Sequence, residues 1–227
     1  VNTNLASLNA QRNLGKSSNQ LSKSVERLSS GLRINRASDD AAGLAVSTKL
    51  KAHIRGINQA VRNANDRISL LQTAESALGE VSNILFRMRE LAEQAANETI
   101  SSTERSYLNT EYKALVSEID RISDVTGFSG KMLLNGSLSA SGVKFQVGFK
   151  AGTNNQMTVN VGNADSSTMG VNTTTASTEI SSVSNAQSAL AVIDASALVI
   201  LSKQRADIGA VQNRLEYTVS NLQATAE

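Results

Sequence analysis

Cysteine, proline and tryptophan are absent from this 227-residue sequence, and aromatic residues make up only 3% of it. Without cysteine there are no disulfides, thiolate nucleophiles or thiolate metal sites. Without proline, no helix interior is broken by that residue. So few aromatic anchors cannot build a thick globular core, and the composition suits thin layers of Leu, Ile, Val and Ala between long helices. His53 is the only histidine, which excludes a two-histidine zinc site and an HExxH motif within this chain. Its expected place is the solvent face of a helix. The net charge is +2 and no lysine or arginine block stands out, so a solvated mixed surface is expected rather than a nucleic-acid face. No apolar run approaches the roughly 18 residues needed to cross a membrane, and no cleavable secretory signal is visible. The expected partners therefore include no nucleic acid, and no membrane insertion is expected. The length allows one large domain or two smaller ones. The chain begins at Val1 and stops at Glu227 inside a helical pattern, which gives the expectation of a fragment.

The stretch Leu28 to Ala45 separates two helical patterns. Gly31 can take the left-handed conformation that closes a helix. Ser38 is the expected cap of the next one, with Asp39 and Asp40 in its first turn, where the helix dipole favours negative charge. Gly43 suits close packing or a bend. Before this joint, Leu14, Leu21 and Leu28 recur every seven residues, with Val25 four past Leu21. That narrow apolar seam on a Ser/Asn/Gln-rich helix cannot be buried by one helix alone. It is expected to be disordered in dilute solution or covered by a neighbouring molecule.

Beyond the joint, apolar residues resume at Val46, Leu50 and Ile54, then run from Ile57 to Ala95 at spacings of three or four. At 1.5 Å per residue this is a rod roughly 60 Å long. Ser101 and Glu104 have capping-box spacing and start a further helix whose face is Leu108, Tyr112, Leu115, Ile119 and Ile122. The short connection favours an antiparallel helical hairpin, ended by Gly127 and Gly130. Val143, Phe145, Val147 and Phe149 then alternate with polar or small residues, as do Met157, Val159 and Val161, around the turn residues Gly152 to Asn155. This predicts a β-hairpin. Thr168 to Ser182 reads as Ser/Thr-rich loop with short strands. Ser184 and Gln187 predict a second capping box, after which the three-four rhythm continues to Leu222.

The expected fold class is therefore mainly α: an elongated antiparallel, coiled-coil-like bundle of the helices 57–95, 104–123 and 186–224, with a small β-hairpin region in mid-chain. Four segments are expected: 1–42, 43–130, 131–182 and 183–227. Catalytic constellations are nearly absent. Asp39 and Asp40 are adjacent and point in different directions on a helix, and the mid-chain glycines do not form a strand-to-helix phosphate loop. No enzyme, cofactor or metal is implied.

The run Glu-Arg-Leu-Ser-Ser-Gly-Leu-Arg-Ile-Asn at 26–35, followed by Asp-Asp-Ala-Ala-Gly at 39–43, closely resembles the N-terminal signature of bacterial flagellin. Asn-Leu-Gly-Lys at 13–16, Val-Arg-Asn-Ala-Asn-Asp at 61–66, Arg-Glu-Leu-Ala at 89–92, Glu-Ile-Asp-Arg at 118–121 and Gly-Ala-Val-Gln-Asn-Arg at 209–214 look like family positions too. The resemblance implies an extracellular filament subunit that polymerises with itself for motility. Residues 1–42 would be an inner-tube helix and connector, and 43–130 with 183–227 the helical core domain around a reduced variable region at 131–182. It implies export by the flagellar type III route without a cleaved signal, and cap and hook-junction proteins as partners. A C-terminal helix partnering the N-terminal one would follow Glu227. It also implies recognition by a Toll-like receptor of the host through Arg87, Arg89, Glu90, Leu91 and Gln94, with Glu111 on the neighbouring helix. Arg87, Glu90, Leu91 and Gln94 are three or four apart and so are expected to share one surface, whereas Arg89 is offset toward the bundle. The self-assembly seam would be Leu14, Leu21, Val25 and Leu28. The rival readings are a hook–filament junction protein of the same superfamily, an enzyme housed in the variable region, and a surface-binding module whose Ser/Thr/Asn-rich middle contacts glycans.

Overall fold

Asn4 opens the first helix, α1 (Leu5–Ser30), its side chain accepting the backbone N–H of Ser7 at 3.3 Å. Gly31 closes it in the left-handed conformation, φ 67°, and donates its N–H to the Arg27 carbonyl. The computed structural model describes residues 4–139, 142–172 and 179–227. They fall into two units, 1–55 and 56–227. Within the first unit, the connector after α1 is folded on Asp39, whose carboxylate accepts the backbone N–H groups of Asn35 and Arg36. Those bonds hold its pKa below the usual value. Helix α2 (Ala41–Ala95) is capped by Asp40 rather than by Ser38: the Asp40 carboxylate accepts the Gly43 N–H at 2.8 Å. Gly43 answers to close packing, since a Cβ there would come 2.8 Å from the Ile34 side chain and collide with Asp40. His53 is half-buried rather than fully exposed.

The second unit is a helical bundle. Its part of α2 packs against α3 (Ser102–Val125) and against a C-terminal run made of α4 (Val183–Val192), a π turn (Ile193–Ala197) and α5 (Leu198–Ala226). Both neighbours run antiparallel to α2. Arg105 of α3 reaches the Ala95 carbonyl while Glu111 meets Arg87. On the C-terminal side Arg89 meets Asp194, Glu75 meets Gln212, and Leu222 packs on Ile57 and Ala60. Of the expected three-four positions, Ile57, Ala64 and each one from Leu71 to Ala95 are buried, while Val61 and Ile68 are half-buried. The capping box at Ser101 and Glu104 is made in both directions. The second box is not: Ser182 caps α4 through the Asn185 N–H, two residues before the expected Ser184.

The π turn has a cause in the sequence. Ala189, Ile193, Ala197 and Leu201 are all buried and lie four apart three times running. In an uninterrupted α-helix each such step drifts by about 40° around the axis. The wider π turn takes up one residue and keeps all four on the bundle side. This apolar run makes the segment within Val183–Ala226 long and apolar enough, by length and composition, to cross a membrane, where none was expected. Ala186, Ala189, Ile193, Ala197 and Leu201 of it are buried in the bundle core, whereas Val199 is 57% exposed.

Two antiparallel strand pairs complete the unit. β1 (Gly127–Phe128) and β2 (Lys131–Met132) make a tight hairpin through Ser129 and Gly130, both at positive φ. β3 (Val143–Gln146) pairs with β4 (Gln156–Val159) in the register Phe145 to Met157. The hairpin predicted at 143–161 is thus present, with shorter strands. It is clipped to α2 by two side chains. Asn63 donates to the Gln146 carbonyl at 3.0 Å, and Arg67 donates to the Met157 carbonyl at 2.7 Å while its guanidinium lies 4.6 Å from the Phe145 ring centre. Of the loop expected at 168–182, residues 173–178 lie outside the described residues.

Candidate functional site

Two places carry the sequence-predicted residues. The first is α1. None of its residues is buried, and Leu14, Leu21, Val25 and Leu28 are 74, 67, 57 and 90% exposed. The helix runs from Leu5 to Ser30, and its seam has no cover among the described residues.

The second place is the middle of α2. Arg87 donates from Nη2 to Glu111 at 2.8 Å and from Nη1 to Glu90 at 3.1 Å, joining α2 to α3. Arg89 donates from Nε to Asp194 in the π turn at 2.9 Å and from Nη1 to Glu93 at 3.3 Å. The carboxylate partners raise both guanidinium pKa values. These ion pairs are solvent-exposed and add little to stability. Their effect is to fix where the charges stand. Gln94 is exposed and flanks a hollow of about 340 Å³ with Ile100, Glu104, Tyr107 and Leu108.

Leu91 is a correction. It was expected on the surface shared by Arg87, Glu90 and Gln94, and it is 1% exposed, inside the core. Around the helix it lies toward Met88, which is also buried, whereas Glu90 and Gln94 fall on the far side of Arg87. Spacing of three or four brings residues to one stripe, and this stripe straddles the edge of the core. The structure joins Arg87, Glu90 and Glu111 directly and sends Arg89 to the C-terminal run. Asp194 was missed because its partner is 105 residues away, and no local spacing announces such a pair.

No group of three or more His, Asp or Glu side chains that could hold a metal ion occurs among the described residues. Two buried polar side chains do stand out. Arg67 leaves Nε and Nη2 without a hydrogen-bond partner, and burial together with the charge of Arg214 pushes its pKa down to about 10. The Tyr112 hydroxyl is likewise buried without a partner, and burial pushes its pKa up to about 12. Neither adjoins a nucleophile or a second titratable group arranged for catalysis.

Comparison with known proteins decides the family. The bacterial flagellin N-terminal helical region matches residues 1–139, and the bacterial flagellin C-terminal helical region matches residues 190–227. The chain belongs to the bacterial flagellin family. A flagellin of Halalkalibacterium halodurans (strain ATCC BAA-125 / DSM 18197 / FERM 7344 / JCM 9153 / C-125) is 48% identical over 227 residues, covering all of this chain and 81% of that protein. Flagellin FlaB1 of Treponema pallidum (strain Nichols) is 41% identical over 235 residues, covering 100% of this chain and 82% of its own length. Among solved structures, Bacillus cereus flagellin aligns with a TM-score of 0.61 at 33% identity, over 71% of this chain and 88% of that one. A putative flagellar hook-associated protein from Vibrio parahaemolyticus aligns with a TM-score of 0.68 at 17% identity, over 84% of this chain and 95% of that one, a likeness of fold alone. Flagellins are structural proteins of the extracellular flagellar filament. This flagellin is accordingly a filament subunit that polymerises with its own kind, and it is not an enzyme. Neither the hook–filament junction reading nor the surface-binding one is better supported.

Proposed function

We propose that the flagellin enters the filament through the seam of α1, where Leu14, Leu21, Val25 and Leu28 are covered by neighbouring copies. The supporting observation is a 26-residue helix with no buried residue and a formed apolar face. A lone helix gains nothing from such a face. In the same reading, 1–42 serve as inner-tube helix and connector, 43–130 and 183–227 as the core domain, and 131–182 as the reduced variable region. Export by the flagellar type III route and contact with cap and hook-junction proteins complete the cycle of assembly. The test is seeded polymerisation followed by electron microscopy. Wild-type subunits extend filament seeds, and Leu14→Asp/Leu21→Asp subunits with unchanged helix content do not. Extension by the double variant at the wild-type rate would overturn the proposal.

The Toll-like receptor reading rests on the exposed set Arg87, Arg89, Glu90, Gln94 and Glu111, with Leu91 supporting the helix from inside. The cross-helix pair of Arg87 and Glu111 holds charges in a defined position, as a rigid contact surface requires. Arg87→Ala is expected to weaken receptor activation several-fold in a cell reporter assay while leaving helix content intact. Full activity from that variant would remove the set from consideration.

A further inference from the structure

Three asparagine side chains are folded into the same local turn. In each, the carboxamide Oδ1 accepts the backbone N–H two residues on: Asn97 from Thr99 at 3.2 Å, Asn135 from Ser137 at 3.1 Å and Asn163 from Asp165 at 3.2 Å. A turn of this kind folds the carboxamide back along the main chain, over the peptide unit that follows. What differs is the next residue. Asn97 precedes Glu98, whose Cβ crowds the main-chain nitrogen. Asn163 precedes Ala164, whose N–H is committed to the Leu134 carbonyl at 2.9 Å. Asn135 precedes Gly136 and is the only asparagine in the sequence followed by glycine. It is exposed, and the Gly136 N–H has no hydrogen-bond partner among the described residues. The fold itself asks for glycine there: φ is 82°, and a Cβ would stand 3.3 Å from the Asn163 side chain.

We propose that Asn135 is a self-modification site, converted in the folded subunit to aspartate and isoaspartate by attack of the Gly136 nitrogen. The Gly136 amide gives its proton to hydroxide, and its nitrogen forms a bond to Asn135 Cγ. The negative charge that develops on Oδ1 faces the Ser137 N–H already donated to it, which stabilises the tetrahedral species. The bond from Cγ to Nδ2 then breaks, and the nitrogen leaves as ammonia with a proton from water. A five-membered succinimide remains. Water opens it at Cγ to give aspartate, or at the main-chain carbonyl to give isoaspartate, and nothing is oxidised or reduced. Either product lowers the formal net charge of +2 by one. Isoaspartate also adds a main-chain methylene one residue past Leu134. That residue is fully buried, and its carbonyl accepts the Ser123 hydroxyl at 2.8 Å and the Ala164 N–H at 2.9 Å. The modification therefore changes both the charge and the chain geometry of this loop, and it accumulates with the age of the subunit.

The test is incubation of the folded chain in heavy-oxygen water at mildly alkaline pH. Digestion in ordinary water and mass spectrometry of the peptides carrying Asn97, Asn135 and Asn163 follow. Uptake of heavy oxygen marks conversion that took place before digestion. It is expected at Asn135 at least tenfold faster than at Asn97 or Asn163, with isoaspartate among the products. The rate is expected to rise with pH, because the attacking nitrogen must first lose its proton. Gly136→Ala is expected to slow the reaction at least tenfold. Should that variant unfold, the wild-type chain compared in its folded state and in guanidinium chloride carries the test. The folded chain is expected to react at Asn135 at no less than a tenth of the unfolded rate. A folded rate below that tenth would overturn the proposal, as would equal rates at the three asparagines.

Discussion

Two helices of this flagellin repeat an apolar residue every seven positions, and their fates differ completely. In α5, Leu201, Ile208, Leu215 and Leu222 are buried against α2 and its neighbours. In α1, Leu14, Leu21 and Leu28 keep the same period and are exposed. A heptad seam specifies that a helix needs a partner and on which face. It does not specify where that partner comes from. For α5 the partner is another part of the same chain; for α1 we assign it to neighbouring copies in the filament.

The largest expected break in this comparison comes from truncating one leucine of each seam. Leu215→Ala should lower the stability of the second unit by about 2–5 kcal/mol, as for other buried leucines. Leu21→Ala should leave the stability of the unassembled subunit within about 0.5 kcal/mol, since nothing is uncovered. Denaturant unfolding of both variants checks this. Leu91→Ala belongs with the first kind, so its effect in a receptor assay would report lost core packing as much as lost contact.

The next effect is on pH. The Tyr112 hydroxyl is buried without a partner, and its pKa rises from 10.0 to about 12. The unfolded chain gives up that proton first, so the contribution of the neutral hydroxyl is fully present below pH 10 and lost as pH rises toward 12. A shift of that size corresponds to roughly 2–3 kcal/mol. Tyr112→Phe should remove this portion of the alkaline loss while leaving stability at neutral pH within about 1 kcal/mol. Unfolding curves for the two proteins at matched pH values give the difference directly.

A smaller effect is expected from the π turn. Deleting Ala195 should turn it into ordinary α-helix with the faces of α4 and α5 still aligned, at a cost within about 1 kcal/mol. Deleting Ser202, one residue into the heptad seam, should rotate Ile208, Leu215 and Leu222 by about 100° away from the core and abolish cooperative unfolding of the bundle. Equal thermal stability for the two deletions would contradict the account of the turn.

Much of this architecture could be read from local spacing. Gly31, the Ser101–Glu104 box, the buried stripe from Ile57 to Ala95 and the β3–β4 hairpin all rest on residues a few positions apart, where backbone geometry alone fixes the outcome. The misplaced caps show the limit of that method. Asp40 displaced Ser38, and Ser182 displaced Ser184, because several residues near each helix start could cap it and the surrounding contacts chose among them. Leu91 shows another: a three-four stripe names neighbours on a helix, and only the packed bundle says which of them lie inward. What was least legible depends on distant pairs. Asp120 accepts both the N–H and the hydroxyl of Ser166, Asn109 accepts the Ile180 N–H, and Arg89 holds Asp194. The exposed seam of α1 was readable from its period.

Amide hydrogen exchange tests the central claim most directly, because one experiment compares both seams in the free subunit and in filaments. The expected result is fast exchange across α1 and slow exchange across the buried part of α5 in a demonstrated monomer, with α1 becoming protected on assembly. Strong protection of α1 in that monomer, or exchange of α1 in the filament as fast as in the free subunit, would contradict it.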